Sequence, residues 1–152
     1  RVIGSLCVLT ASKGTGENNI KGAMLASWVS QASFSPPGLS IAVAKDRAVE
    51  SLLQKGDAFA LNILGEKDFR EPLKRFTKPF APGEDRFNGL DIQLTPNDQI
   101  IIPESLAWLD ASVQERMECG DHWVIYAAVN YGNILKPDSL TAVHHRKSGA
   151  NY

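Results

Sequence analysis

Two clusters of polar and cationic residues have the composition of an anion-binding site. The first is SWVSQAS, residues 27–33, and the second is AKDRA, residues 44–48, where Lys45 and Arg47 flank the predicted start of a helix. Hydroxyl groups, cationic side chains and the free N–H groups of a helix start are what proteins use to hold a phosphate. The same residue types also form ordinary solvated strand faces, so composition leaves both interpretations open.

A proline turn between the two clusters predicts that they meet. The segment SPPG, residues 35–38, is predicted as a turn or an edge because proline supplies no N–H to a strand ladder. Before it, a strand is predicted from near Ile20 through Trp28, and after it the apolar run at 39–44 predicts another. Consecutive strands joined by a turn would carry both clusters to one end of the sheet.

Histidines and acidic residues offer little support for other chemistry. His122 follows the predicted Gly120-Asp121 turn, where its ring would project from a rim or serve as a structural hydrogen-bonding group. His144 and His145 are adjacent and would face opposite ways in a strand, so no metal site is predicted. The acidic residues show no paired-carboxylate pattern and no GxSxG motif occurs, so hydrolytic chemistry is not predicted.

The cysteines and tryptophans favour packing roles, with one exception. Cys7 and Cys119 lie 112 positions apart without CxxC or Cys/His spacing, so we predict two small buried side chains and a reducing compartment. Trp108 and Trp123 lie on predicted strands and are predicted as core residues. Trp28 lies among the candidate hydrogen-bond donors of the first cluster. Its role is left open between packing in the core and stacking on a planar ligand.

Composition restricts the class of protein. The chain has 152 residues, of which 43% are hydrophobic, which predicts a single domain over residues 1–152. With 16 Lys and Arg against 17 Asp and Glu, no bulk charge attracts nucleic acid or an anionic membrane. No apolar run approaches the roughly 20 residues of a transmembrane helix, and a soluble, cytoplasmic protein is predicted. Because no Met precedes Arg1, we expect the chain to be part of a longer protein.

Hydrophobic periodicity predicts a mainly β fold. The clearest signal is the alternation at 105–118, followed by a turn and a long partner strand that starts at His122. Apolar runs at 4–10 and 58–64 predict two further strands. The hairpin-like succession of about seven strands predicts an antiparallel β-barrel. The glycine motifs of dinucleotide-binding folds and of P-loops are absent from the sequence.

Two short helices are predicted beside the strands. Asp46 is predicted to cap the first helix, whose apolar residues follow helical spacing and which stops at Gly56. The segment 66–78 is predicted to be helical in part, because Pro72 limits its regularity.

The order of these pieces resembles the flavin-reductase-like family of FMN-binding split barrels. The matching pieces are, in chain order, GAMLASWVSQASFSPP, IAVAKDR, FALNIL, LKRF with a later DRF, AWLDASV and GDH. Each piece is degenerate alone, but the series covers nearly the whole chain in the family's order. Within this family the chain is most similar to the C-terminal flavin reductase module of the flavodiiron (diflavin) proteins of oxygenic phototrophs.

The resemblance implies an antiparallel FMN-binding split β-barrel with two or three short helices, and a site for FMN or FAD. The residues that it implies for cofactor binding are Ser27, Trp28, Val29, Ser30, Ala44, Lys45, Arg47 and His122. Ser27 and Ser30 would donate hydroxyl hydrogen bonds, and Lys45 and Arg47 would meet the phosphate. His122 would lie near the nicotinamide or the exposed edge of the flavin. The sequence departs from the family at Trp28, where a small residue is usual, and at 46–47, where a Ser/Thr pair is common.

The resemblance further implies an NAD(P)H:flavin oxidoreductase. Electrons would pass from NAD(P)H to the flavin and then to upstream diiron and flavodoxin-like modules of the same chain, for oxygen reduction, in a homodimer. Because the cofactor carries the redox chemistry, no catalytic side chain is predicted. The alternative, motivated by Trp28 and Asp46, is a non-catalytic flavin-binding and dimerisation module. A reductase that releases reduced flavin to a separate monooxygenase is a third interpretation.

Overall fold

In a computed structural model, which describes residues 3–78 and 84–145, the main element is an antiparallel seven-stranded sheet. The strands are β1 (Gly4–Ser5), β2 (Cys7–Lys13), β3 (Ile20–Ala26), β4 (Val29–Phe34), β5 (Pro37–Ala44), β6 (Ala58–Leu64), β7 (Gln93–Leu94), β8 (Ile100–Ile101), β9 (Ser105–Cys119), β10 (His122–Ile134) and β11 (Val143–His144). The large sheet has the order β3-β2-β6-β9-β10-β5-β4, while β1 pairs with β11 and β7 with β8. The predicted mainly β, antiparallel fold is confirmed.

Helical structure is limited to short segments. Within the described residues there is one α-helix, α1 (Arg70–Thr77), and two 3-10 helices at Gly16–Asn18 and Ala48–Leu52. Pro72 lies in the first turn of α1, where a backbone N–H has no partner within the helix, so it does not break the helix. No helix in the described part of the chain is long and apolar enough to cross a membrane.

The predicted cap at Asp46 is wrong. The cap position of the 3-10 helix at Ala48–Leu52 is occupied by Arg47, and no side chain caps it. The Arg47 N–H donates to the Ala44 carbonyl at 3.1 Å, which closes a turn before the helix begins. This turn leaves Asp46 exposed, with its carboxylate 3.7 Å from Arg47 Nε.

The two edge strands of the sheet are joined by only two residues. The strand predicted to run through Trp28 ends at Ala26, and β4 begins at Val29 on the opposite edge of the sheet. We call Ser27 and Trp28 the seam, because they cross the gap between the two edges. The Trp28 carbonyl accepts a hydrogen bond from the Ala42 N–H at 3.0 Å, which fixes the start of β4 against β5.

The core has two parts, which share β2. Because side chains alternate along a strand, Cys7 and Leu9 face the main core inside the curved sheet, while Leu6 and Val8 face a second core beneath α1. This double burial explains why the segment predicted at 4–10 is almost continuously apolar. The main core is completed by residues that include Ile41, Val43, Phe59, Leu61, Val113 and Ile125, and the second core by Phe76, Phe87, Ile100 and Ile102.

The two cysteines differ in exposure. Cys7 is buried in the main core and burial raises the pKa of its thiol to about 12, whereas Cys119 is exposed at the end of β9. The prediction that both are buried is therefore wrong for Cys119, because the β9–β10 hairpin extends beyond the core.

A thiol-reactive reagent should distinguish the two cysteines. We expect one thiol per chain to react in the folded protein and the second only after denaturation, because the thiolate is the reactive form and Cys7 is both buried and protonated. Counting the released chromophore before and after denaturation measures this. A Cys119→Ser variant should lose the fast reaction, and two rapidly reacting thiols in the folded protein would contradict the placement of Cys7.

Candidate functional site

Three of the predicted site residues meet at one end of the sheet. His122 begins β10 after a turn in which Gly120 has a φ of +59°, and it pairs with Ala44, the last residue of β5. The Trp28 and His122 ring centroids are 4.9 Å apart, with the ring planes inclined at 44°. We call Trp28, Ala44 and His122 the aromatic rim. It leaves the Trp28 ring partly exposed, which suits contact with a second planar group.

The orientation of the His122 ring is fixed by its neighbour. Nδ1 of His122 lies 2.7 Å from Oδ1 of Asp121 and donates to it. This hydrogen bond, and then the charge of His122, lower the pKa of the Asp121 carboxyl. With Nδ1 carrying the proton, a neutral His122 presents Nε2 as a hydrogen-bond acceptor.

An open cavity lies under β4 and reaches the start of β5 at Pro37 and Gly38, whereas the rim lies at the other end of β5. Its volume is about 400 Å³, within the range of small-molecule sites. Most of its lining is apolar, and Ser5, Ser30, Gln31 and Ser33 supply polar groups. The Ser30 hydroxyl donates weakly to the Gln31 carbonyl at 3.2 Å on an exposed edge. Because β4 is last in the strand order, its outer backbone edge is open to a ligand.

Arg86 lies against the middle of β3, and the charge of Arg47 acts on it. Nη1 of Arg86 donates to the Ala23 carbonyl at 2.7 Å. Burial, and next the charge of Arg47, lower the pKa of Arg86, while Glu84 acts in the opposite direction. Like charges that act on each other repel, and an anion bound near both guanidinium groups would reduce that repulsion. A phosphate, which can accept hydrogen bonds from both planar groups, fits this pair.

Arg86 was missed by the site prediction. It lies 39 residues after Arg47, in the DRF segment, which contributes to the family resemblance but was not predicted to bind a ligand. No local spacing connects the two arginines, because the fold brings them together. Of the predicted phosphate ligands, Arg47 thus has a cationic neighbour that the sequence did not identify.

Lys45 lies apart from the rim side chains. It follows the buried Val43 by two positions, and its Nζ lies 5.4 Å from the ring centroid of Trp123 and pairs with the Glu118 carboxylate. On the same indole, Cζ of Arg116 lies 4.4 Å from the ring centroid, and Arg116 pairs with Glu50. We call these five residues the mouth layer: Lys45, Glu50, Arg116, Glu118 and Trp123.

The predicted site residues therefore occupy several positions. The aromatic rim contains Trp28, Ala44 and His122, and the cavity is lined by Val29 and Ser30. The charge of Arg47 acts on Arg86, and Lys45 belongs to the mouth layer. Ser27 is buried in the seam. Trp123 packs against the main core as predicted, whereas Trp108 is half-buried and lines a second surface cavity of about 660 Å³. Among the residues that the structure describes, no cluster of His, Cys, Asp or Glu could hold a metal ion.

Comparison with known proteins identifies the family. Residues 1–150 match the family described as Flavin reductase like domain, and the chain belongs to that family. It is 53% identical over 152 residues to Diflavin flavoprotein A 1 of Synechocystis sp., covering 100% of this chain and 26% of that protein. The chain thus spans about a quarter of the length of the curated relatives it matches.

Solved structures share the fold. The NADH:FAD oxidoreductase SgcE6 of Streptomyces globisporus C-1027 aligns with a TM-score of 0.82 at 23% identity, covering 93% of this chain and 81% of that chain. A structure of the same oxidoreductase in complex with NAD and FAD fragments aligns with a TM-score of 0.79 at 20% identity, covering 99% of this chain and 89% of that chain. These alignments confirm the split-barrel fold class.

Proposed function

We propose that the chain is an NAD(P)H:flavin oxidoreductase module that binds FMN. The observation that carries the proposal is the presence of an aromatic rim, an apolar cavity with a hydroxyl-bearing edge, and two arginines that act on each other electrostatically, in one chain of the flavin reductase family. These groups match the three parts of FMN, which are a planar ring, a polar ring edge and a phosphate. FAD shares all three parts and is the second ligand to test.

Each part of the site has a task in this proposal. FMN, when bound, supplies the acceptor for a hydride from the reduced nicotinamide. Arg47 and Arg86 hold the phosphate through charge-assisted hydrogen bonds. Ser30 and the open edge of β4 supply donors and acceptors to the polar edge of the ring. Trp28 and His122 would border a nicotinamide bound against the rim, and their ring contact would restrict access of water to it. No side chain acts as an acid or base.

The larger protein is part of the proposal. We infer that this module is the C-terminal part of a cytoplasmic flavodiiron protein, and that its electrons continue to diiron and flavodoxin-like modules for oxygen reduction. The relative named Diflavin flavoprotein A 1, of which the chain covers 26%, supports this inference. A homodimer is also proposed, because the β4 edge carries Phe34 with 87% of its surface exposed beside the open cavity.

Flavin titration with nicotinamide oxidation tests the activity. We expect saturable FMN binding and FMN-dependent loss of NADH or NADPH absorbance, because the proposed site holds both partners. Reactions without FMN serve as the control. Saturable binding without oxidation would favour the second candidate, a non-catalytic flavin-binding and dimerisation module, which the bulk of Trp28 on the rim motivates. A chain that binds no flavin would exclude both.

A further inference from the structure

Strand β10 is apolar on both of its faces along its first half. Residues 123–129 read WVIYAAV and contain no charged side chain. Ile125 and Ala127 point into the main core, so Val124 and Tyr126 point outwards by the alternation of a strand. Strands with two apolar faces are usually covered on both, as β2 is by the two cores, yet Val124 and Tyr126 stay partly exposed. The outward face of β10 is therefore suited to receive a ligand.

Strand pairing places four apolar residues in one row across this outward face. Val124 pairs with Ala42 of β5 and with Met117 of β9. The Ala42 N–H donates to the Trp28 carbonyl at 3.0 Å, so Trp28 continues the row beyond β5. Because paired residues project to the same face of a sheet, these four side chains are neighbours. We call Trp28, Ala42, Val124 and Met117 the outer row.

The outer row has a bulky side chain at each end and smaller ones between them. Trp28 is 40% exposed and Met117 is 60% exposed, while Ala42 and Val124 are half-buried between them. Neighbouring strands lie about 4.8 Å apart, so the three gaps separate the two ends of the row by about 14 Å. This spacing leaves room for a flat fused-ring system, whereas a single ring such as nicotinamide would contact only one end.

The rows on either side of the outer row match the rest of such a ring system. On one side lies the row that contains Ala44 and His122, two members of the aromatic rim. On the other side Ser30, Ser40 and Tyr126 are paired across three strands and carry three hydroxyl groups. An apolar row bordered by hydroxyl groups suits an isoalloxazine ring, whose faces are apolar and whose edge carries nitrogen and oxygen atoms.

We propose that Met117 contacts the isoalloxazine ring of the bound flavin and closes the side of the site opposite Trp28. The ring lies along the outer row, over Ala42 and Val124, with the Met117 thioether against its edge. A thioether is polarisable and unbranched, so it packs favourably against an aromatic ring. This inference rests on the proposed flavin-binding function. It adds a flavin contact on β9, a strand that carries none of the predicted site residues.

The contact is tested by NMR on the chain labelled with ¹³C in its methionine methyl groups. The chain has two methionines, Met24 in the main core and the exposed Met117, and a Met117→Ala variant assigns their signals. The chain is titrated with riboflavin, which has the isoalloxazine ring but no phosphate. We expect the Met117 signal to shift through the ring current of the flavin and the Met24 signal to stay nearly in place.

Affinity gives a second measurement of the same contact. In Met117→Ala we expect the Kd values for FMN and riboflavin to rise by the same factor, about two- to ten-fold, the range for a contact between sulfur and an aromatic ring. The equal rise separates a ring contact from a phosphate contact, whose loss would affect FMN alone. The control is Leu94→Ala, which truncates a side chain of similar exposure on β7 and should change neither Kd.

The outcomes separate this inference from the proposed function. A parent chain that binds neither flavin overturns both. Flavin binding that leaves the Met117 signal in place, or that Met117→Ala does not weaken, overturns only the inference. If the Met117 signal of the flavin-free chain shifts on dilution, a second copy of the chain covers the outer row, and the inference is overturned as well.

Discussion

Replacing Arg86 with glutamine is expected to weaken FMN binding by about ten- to a hundred-fold, the loss that corresponds to one hydrogen bond between charged groups. Riboflavin binding should change much less, because the lost contact is to the phosphate. The basis is the effect of the Arg47 charge on Arg86, which lowers the pKa of Arg86 and which a bound phosphate would offset. Fluorescence titration with both flavins measures the ratio of the two affinities.

Arg86 also has a structural contact, so a second variant is needed. Its Nη1 donates to the Ala23 carbonyl, and the glutamine variant loses this bond as well. Arg47→Gln removes the other member of the pair while leaving that bond in place, and it should lower FMN affinity in the same direction. Arg70→Gln, at the exposed start of α1, is the control for loss of positive charge. An equal loss of FMN and riboflavin binding in both variants would contradict a phosphate site.

Gly4→Ala is expected to destabilise the chain by about 1–3 kcal/mol, the usual cost of forcing atoms into a packed site. A Cβ at Gly4 would lie 1.8 Å from the Ser27 carbonyl oxygen, which is backbone and cannot rotate away. The seam must shift to accommodate it. Because Trp28 is the next residue, the shift moves the aromatic rim, and FMN affinity should fall together with stability.

The matched control for this change is Gly65→Ala. Gly65 has ordinary backbone geometry, and an added Cβ there would have its nearest neighbours at 3.9 Å. Thermal unfolding should therefore give a midpoint about 2–10 °C lower for Gly4→Ala and a nearly unchanged midpoint for Gly65→Ala. If the two variants unfold at the same temperature, the close packing of β1 against the seam is refuted.

Several strands of the large sheet were predictable, either because their residues alternate with a period of two or because they form a short apolar run buried on both faces. The alternation at 105–118 predicts β9, and the apolar run at 58–64 matches β6. The pairs β1–β11 and β7–β8 were not predicted, because two-residue ladders are too short to carry a pattern. Their positions are fixed by tertiary contacts instead.

Buried polar residues show most clearly which features of the fold hydrophobic periodicity cannot predict. Asn62 lies in an apolar run, yet it is fully buried, donates to Val8 and Ile100 carbonyls and accepts from the Ile102 N–H. Asp110 is also fully buried, and its carboxylate accepts hydrogen bonds from Thr95, Asn97 and Asn130. Partners this distant in sequence leave no periodic signal.

The same limit applies to the candidate site. The sequence indicated correctly that residues near 28 and 44 approach each other, because a turn at 35–36 makes the two strands a hairpin. It gave no indication that the Lys45 side chain lies over Trp123, since that depends on β10 lying beside β5. Nor did it indicate the contact between Trp28 and His122, which are 94 residues apart.

The position of the seam restricts the order in which the strands of the large sheet can pair during folding. β3 and β4 are neighbours in the chain, but five strands separate them in the sheet. The Ser27–Trp28 crossing can therefore adopt its native course only after β2, β6, β9, β10 and β5 have paired and curved so that the two edges meet. A chain that lacks any one of these pairings has no aromatic rim. Flavin bound at the rim would thus recognise only the fully paired sheet and would stabilise that state alone by mass action.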